Sequence, residues 1–186
     1  MAKIFIFREG QTLDNKDNTF SGWRNVDLSP QGIEEAKQIG LKLKDEKVTI
    51  AYQSDLIRSK NMLKLVLNGY HANVEVITDP RIKERDYGNL TGKNKDEVKR
   101  QFPDKFPLWH RSYEEGPPGG ESIRTVEERI LDFLNDVIPT WKPEDIIFIS
   151  GHGNSIRPMR RYFEHISVSQ MCSYEYTPAE IFTYEA

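Results

Sequence analysis

Ile4-Phe5-Ile6-Phe7-Arg8-Glu9-Gly10-Gln11-Thr12 is the stretch from which the fold is read. Four consecutive apolar β-formers spell a short strand covered on both faces, the pattern of a parallel strand held between two helical layers. The run breaks into a charged pair and then Gly10, a residue that permits a sharp turn. In open α/β sheets, ligands sit just past the carboxyl ends of the strands. Arg8 and Glu9 are delivered to that position.

The far end of the chain repeats the arrangement. Ile146-Ile147-Phe148-Ile149 spells a second buried strand, and Ser150-Gly151-His152-Gly153-Asn154-Ser155 follows it into a helical pattern. Two such strands in one sheet bring Arg8, Glu9 and His152 to a single edge.

Between these strands the pattern alternates. Residues 11–28 are polar and read as a loop over the strand edge. Ser29 and Pro30 open a helix, as N-cap and first helical residue, that continues through Ile33, Ala36, Ile39 and Leu43 at helical spacing. Val48 to Gln53 is a strand. Ser54-Asp55 caps a helix carrying Leu56, Met62, Leu63, Val66 and Leu67, and Val74 to Ile77 is a third strand. This order predicts right-handed parallel crossovers. Residues 79–121 are rich in charge, proline and Gly119-Gly120, with one helix over Asn94 to Gln101; a segment this long reads as an ordered insertion covering the site. Ser122 to Ile138 is a helix, Ile181 to Tyr184 adds a last strand, and the sheet has room for an antiparallel edge strand. The expectation is one α/β domain over residues 1–186: three layers, a mostly parallel central sheet and helices on both faces.

Composition narrows the function. At 186 residues the chain can bury a sizeable core, and 37% apolar with 30% charged residues is a soluble globular balance. A net charge of −3 gives no general attraction to nucleic acid or to anionic membrane, so neither is expected as a partner. The single Cys172 excludes an internal disulfide and suits a cytoplasmic location. The N-terminal apolar run is too short for a signal peptide, and nothing in the sequence is long enough to span a bilayer.

Any anion site must therefore be a local cluster of cations. Arg8, Arg58 and a protonated His152 supply donors that fit phosphate, and the backbone amides of Gly153 and Asn154 at a helix start add more. Phosphoryl transfer also needs an acid for the leaving oxygen. The candidate lies in Arg81-Ile82-Lys83-Glu84-Arg85-Asp86-Tyr87-Gly88. Taken alone, Arg58 reads as a surface charge and this run as a hydrated segment.

The two strand-end motifs resemble the histidine phosphatase superfamily, whose first strand ends in Arg-His-Gly and whose late strand ends in a second His. Further blocks resemble the cofactor-dependent phosphoglycerate mutases within it: Phe20-Ser21-Gly22-Trp23 with Asp27-Leu28-Ser29, Glu84-Arg85-Asp86-Tyr87-Gly88, Leu90-Thr91-Gly92-Lys93-Asn94-Lys95, Leu108-Trp109-His110-Arg111-Ser112, and Pro118-Gly119-Gly120-Glu121-Ser122. The resemblance implies catalytic positions at Arg8, Glu9, Arg58, Glu84 and His152, with Glu84 as proton donor and acceptor. It implies substrate-binding positions at Gln11, Asn15, Ser21, Gly22, Arg85, Tyr87, Lys95, His110, Arg111, Gly153 and Asn154. The implied activity is interconversion of 3-phosphoglycerate and 2-phosphoglycerate, in glycolysis and gluconeogenesis, with 2,3-bisphosphoglycerate as primer and no metal. The chain is shorter than typical mutases, so a monomer or homodimer is expected. Position 110 is usually Arg in those mutases, so His110 replaces a permanent cation with a pH-dependent one.

The resemblance also implies a nucleophilic His at position 9, where this chain has Glu9. A neutral imidazole brings no negative charge to a phosphate dianion, whereas a carboxylate does. Two unit charges ~4 Å apart repel by about 4 kcal/mol at an effective dielectric near ~20. Other enzymes do form acyl phosphates, but they generally relieve the charge with a metal, and no metal cluster is evident in the sequence. The expectation is a mutase scaffold inactive or strongly impaired in turnover. The alternatives are a phosphomonoesterase of the same superfamily, which needs no grip on a carboxylate, and a non-catalytic protein that binds a small phosphorylated metabolite.

Overall fold

The computed structural model describes residues 1–70 and 73–186. In chain order the elements are β1 (Lys3–Arg8), α1 (Leu13–Lys16), α2 (Pro30–Leu43), β2 (Ile50–Gln53), α3 (Ile57–Val66), β3 (Glu75–Thr78), α4 (Lys95–Gln101), α5 (Phe106–Arg111), α6 (Ile123–Val137), β4 (Ile146–Gly151), α7 (Gly153–Glu164), α8 (Val168–Ser173) and β5 (Ile181–Glu185). The sheet order is β3-β2-β4-β1-β5. Four strands run parallel, and β5 pairs antiparallel with β1 at the edge. The expected α/β architecture is what the chain adopts.

The apolar run of β1 works as its spelling implies. Successive side chains of a strand point to opposite faces. Ile4 and Ile6 pack with Ile147, Ile149, Val126, Ile130, Phe133, Ile156 and Met159, which is the α6/α7 layer. Phe5 and Phe7 pack with Phe148, Ala36, Ile39, Met62, Leu63 and Val66, which is the α2/α3 layer. One strand thus glues two layers. Ring pairing helps, with Phe5 and Phe7 both meeting Phe148 edge-on at centroid distances of 5.6 and 6.1 Å.

Chain order brings β4 between β2 and β1, although it is made long after both. The chain steps outward from β1 to β2 and β3, then returns to fill the gap. That return is a switch of direction in the sheet, the place where such folds hold their ligands. The register is flush there: Arg8 lies opposite Gly151, and Gln53 opposite Ser150.

Ser29 caps α2 as expected, and three further helices have side-chain caps that the sequence reading did not name as such. Ser29, Asn94, Ser122 and Ser167 each accept a backbone N–H of the first turn. The start of α3 differs from the sequence expectation. Leu56 is its N-cap and makes no side-chain bond. Ser54 instead accepts from the Leu56 N–H at 3.2 Å and turns its hydroxyl toward His152. The polar stretch 11–28 contains the short helix α1, closed by a reciprocal Thr12–Asn15 cap. In 79–121 a second helix, α5, follows α4. Phe20, Tyr87, Leu90 and Val98, with Phe106 and Trp109 against them, form a small third core that ties this segment to the 11–28 loop.

Gly10 serves a different need from the one expected. Its φ is not left-handed. Its hydrogen sits against the backbone of Gly32, and a Cβ there would lie 2.4 Å from the Gly32 oxygen. Close approach of the β1 exit to α2 is what demands glycine at both positions.

Candidate functional site

Flush strand ends place the side chains. The Glu9 N–H donates to the Gly151 carbonyl at 3.0 Å, extending the β1–β4 ladder one step beyond the named strands. Glu9 and His152 therefore leave adjacent strands side by side, and His152 Nδ1 lies 3.2 Å from Glu9 Oε1. The other ring nitrogen of His152 is 2.7 Å from Ser54 Oγ, contributed by the end of β2. Three neighbouring strands thus each supply one member of a Ser54–His152–Glu9 chain. His152 also receives support from its own helix, since its backbone N–H donates to Ser155 Oγ at 2.9 Å.

Arg58 is not a surface charge. It is 1% exposed, and its terminal nitrogens donate to the carbonyls of Arg24 and Gly22 at 2.8 Å each. This holds the guanidinium with its Nε 3.5 Å from Glu9 Oε1. Arg8 Nε lies 3.9 Å from Glu9 Oε2. Burial alone would push the Glu9 carboxyl up, but His152, Arg8 and Arg58 together pull it down to about 2. Residue 9 is a carboxylate enclosed by two guanidiniums and an imidazole.

Glu84 enters from the charged 81–88 run and is 8% exposed. Its Oε1 accepts from the backbone N–H groups of Arg85 at 2.6 Å and Asn154 at 3.2 Å. Its own carbonyl accepts from the Trp23 indole at 2.6 Å and from Arg129 at 3.0 Å. Arg129 also grips the Glu121 carboxylate at 2.9 Å, so the 81–88 segment is pinned from both sides. The run is structured and largely desolvated.

A cavity of about 100 Å³ opens above these groups. Of the positions picked out from sequence, Arg8, Glu9, Asn15, Ser21, Gly22, Arg58, Glu84, Tyr87, Lys95, His110, Arg111, Gly153 and Asn154 line it. His152 lies beneath, fully buried, reaching the cavity through Glu9.

Two sequence-picked positions are placed elsewhere. Gln11 lines an adjoining cavity that it shares with Arg8, Glu9 and Asn15: its N–H donates to Glu35 at 2.9 Å and its side-chain oxygen accepts from Ser29 at 2.9 Å. Arg85 is fully buried and donates to the carbonyls of Glu121, His110 and Glu115 at 2.6, 3.2 and 3.3 Å. Three carbonyls from the 110–121 segment take its donors, so it organises that segment and does not line the cavity.

The distal half of the cavity is basic. Lys95, Arg111 and Arg157 face it, with Glu175 3.3 Å from Arg111. His110 stacks on Phe106 at 5.2 Å, and burial, followed by the charges of Arg111 and Lys95, drives it down to about 3. It is therefore neutral at ordinary pH. Lys95 is likewise lowered by burial and by Arg111 and Arg8.

Sequence reasoning missed Ser54, Arg157, Glu175 and Tyr176. Arg157 had a signal: it lies one helical turn after Asn154 in α7 and so shares its face. Its Nη1 donates to the carbonyls of Met171 and Cys172, and its Nε has no partner. Tyr176 had none. Its hydroxyl donates to the Gly153 carbonyl at 2.7 Å, and its ring lies between Arg8 and Arg157 at 5.5 and 5.3 Å.

One grouping in the site bears on metal binding. Glu9, Glu84 and His152 each offer one donor atom within 4.8 Å of the others. Among the described residues, no helix is long and apolar enough to cross a membrane.

Comparison with known proteins follows the same lines. A model of the histidine phosphatase superfamily (branch 1) matches residues 4–186. The 2,3-bisphosphoglycerate-dependent phosphoglycerate mutase of Parvibaculum lavamentivorans is 33% identical over 187 residues, covering 98% of this chain and 89% of its own. The enzyme of that name from Rhizobium meliloti is 37% identical over 173 residues, covering 90% and 82%. Among solved structures, Bacillus stearothermophilus YhfR superposes with a TM-score of 0.89 at 21% identity, covering 100% of this chain and 91% of that one. A mycobacterial glucosyl-3-phosphoglycerate phosphatase does so at 0.83 and 21%, covering 97% and 90%. At those identities the structural likeness concerns the fold.

Proposed function

The chain belongs to the histidine phosphatase superfamily (branch 1), and from that premise we propose that it is a phosphoglycerate mutase scaffold whose turnover is suppressed by Glu9. Its ligand is a small phosphorylated acid of the phosphoglycerate type, in the cytoplasm, with 2,3-bisphosphoglycerate as the primer of an active form. The observation that carries this reading is the convergence on residue 9. Arg8, Arg58 and His152 come within 3.9 Å of its carboxylate from three separate parts of the chain.

Each group has a place in that chemistry. Arg8 and Arg58 hold equatorial oxygens of a phosphoryl group, which the guanidinium fork suits. Glu84, across the cavity from Glu9, is the proton donor and acceptor for the glycerate oxygen. Lys95, His110 and Arg111 receive the second anionic group. Ser54 orients His152. A His at position 9 would take the phosphoryl group from the primer and return it to either hydroxyl. Glu9 keeps the cradle and fills it with a negative charge that pairs with the cations meant for phosphate.

The second reading, a non-catalytic binder of phosphorylated metabolites, is favoured by Glu9 standing where the resemblance implies a nucleophilic His while Arg8, Arg58, Lys95 and Arg111 still line the cavity. One assay addresses both. The protein and its Glu9→His variant are given 3-phosphoglycerate with and without 2,3-bisphosphoglycerate. Primer-dependent isomerisation by the variant alone is the expected result. Phosphate release exceeding isomerisation many-fold would assign a phosphatase, and no turnover by either form would leave the binder.

A further inference from the structure

The unsatisfied atoms around residue 9 are of both signs. Among the described residues, the buried acceptor Glu9 Oε2 has no hydrogen-bond partner, and neither does His152 Nδ1. The buried donors Arg8 Nε and Arg58 Nε are equally without one. Glu9, Glu84 and His152 are 6%, 8% and 0% exposed, and buried polar atoms call for partners.

Charge balance says which partners would serve. Immediately around residue 9 two carboxylates, Glu9 and Glu84, face two guanidiniums, Arg8 and Arg58, while Lys95, Arg111 and Arg157, with Glu175, line the rest of the same cavity. A phosphate ester dianion arriving alone meets both carboxylates and satisfies only the donors. A divalent cation arriving alone meets both guanidiniums and satisfies only the acceptors. The two together are neutral, and every orphaned atom gains a partner.

The donor set fits a cation. Ligand atoms around an ion with bonds near ~2.1 Å stand about 3–4 Å apart, and the three donors already lie within 4.8 Å of one another. His152 is oriented as metal-bound imidazoles are, with one ring nitrogen held by a neighbouring oxygen and the other directed at a carboxylate of the same set. Ser54 Oγ sits 2.7 Å from Nε2, which leaves Nδ1 facing Glu9. Two carboxylates and one imidazole suit a borderline ion such as Mn²⁺, Fe²⁺ or Zn²⁺ better than Mg²⁺, which prefers oxygen alone.

We propose that Glu9, Glu84 and His152 form a divalent-cation site, and that cation and phosphate bind to this chain as a pair, the anion bridging the ion to Arg8 and Arg58. This rests on the reading of the cavity as a phosphate-ester site and adds what Glu9 does there. A carboxylate at position 9 turns a bare-phosphate cradle into a metal-phosphate one.

The test is titration calorimetry of the unmodified protein with inorganic phosphate, in EDTA and then in saturating MnCl₂. Phosphate affinity at least tenfold higher in Mn²⁺ is expected. By linkage, Mn²⁺ affinity measured by electron paramagnetic resonance should rise by the same factor when phosphate is present. The Glu9→Gln and Glu84→Gln variants, checked for unchanged circular dichroism, should lose the coupling. Equal phosphate affinity in EDTA and Mn²⁺ overturns the proposal, as does coupling that survives Glu9→Gln. The Glu9→His variant in EDTA separates the two readings. If it binds phosphate while the unmodified protein shows no Mn²⁺ coupling, the cation site fails and the phosphate cradle stands. If it binds none and coupling is absent, both fall.

Discussion

His152 Nδ1 lies 3.2 Å from Glu9 Oε1, the two side chains leaving neighbouring parallel strands at the same level of the sheet. Both are buried, so their interaction is weakly screened, and the Glu9 charge depends on the cations beside it. Removing one of those cations leaves a buried charge short of a partner. Breaking a buried pair from one side costs about 3–5 kcal/mol. Arg58→Leu should therefore lower stability by an amount in that range in urea unfolding. Adding Glu9→Gln to it should recover a good part of the loss. Equal stability of the single and double variants would show that Arg58 acts only through the carbonyls of Gly22 and Arg24.

Acid should destabilise the fold in two stages. His110 is lowered from 6.5 to about 3, so the folded form stays neutral while the unfolded chain takes up a proton below pH ~6.5. Its contribution is whole above ~6.5 and is lost as pH falls toward 3. Glu9 is lowered from 4.5 to about 2, so its contribution is whole above 4.5 and is lost as pH falls toward 2. In both cases the unfolded chain binds more protons, so stability rises with pH, by less than about 1.4 kcal/mol per unit for each group. His110→Phe, which preserves the stack on Phe106, should flatten thermal stability between pH 6.5 and 4.5. An unchanged slope there would contradict the assignment.

Gly10→Ala tests the close approach at the β1 exit. A methyl group would stand 2.4 Å from the Gly32 oxygen, and that contact is with backbone, which cannot swing aside. A loss of about 2–4 kcal/mol is expected, within the range of strained packing variants. Gly69→Ala is the control, since nothing lies within 4 Å of its Cβ. Its left-handed φ of 96° carries only local strain, so its loss should be the smaller. Equal effects would place the Gly10 requirement in backbone conformation.

Arg85→Lys separates positioning from contact. A lysine cannot reach three carbonyls at once. The 110–121 segment should loosen, seen as faster amide exchange at Glu121 and Glu115, with stability reduced by about 1–3 kcal/mol. Unchanged exchange with weakened phosphate binding would return Arg85 to the cavity wall.

Much of this was legible in the chain itself, for identifiable reasons. Ile4 to Phe7 and Ile146 to Ile149 are apolar at every position, which only a strand between two layers explains, and their polar sequels mark the site. Ser29 with Pro30 announces α2, whereas the Ser167 cap and its helix α8 went unread. What else escaped notice depends on tertiary placement. Ser54 looks like a helix cap, and only the strand register shows that it supports His152. Arg85 sits in a charged run between site residues, yet burial turns it toward carbonyls. Tyr176 lies far along an irregular segment without periodicity, so nothing local assigns it a partner.

The most direct test is phosphoryl capture at residue 9. The protein and its Glu9→His variant are incubated with 2,3-bisphosphoglycerate and followed by intact mass and acid-labile phosphate. The variant should gain one phosphoryl group on His at position 9 while the unmodified protein gains none. A phosphorylated unmodified protein, or a folded variant that remains unmodified, would contradict the claim that the cradle around residue 9 is built for phosphoryl transfer and blocked by the Glu9 carboxylate.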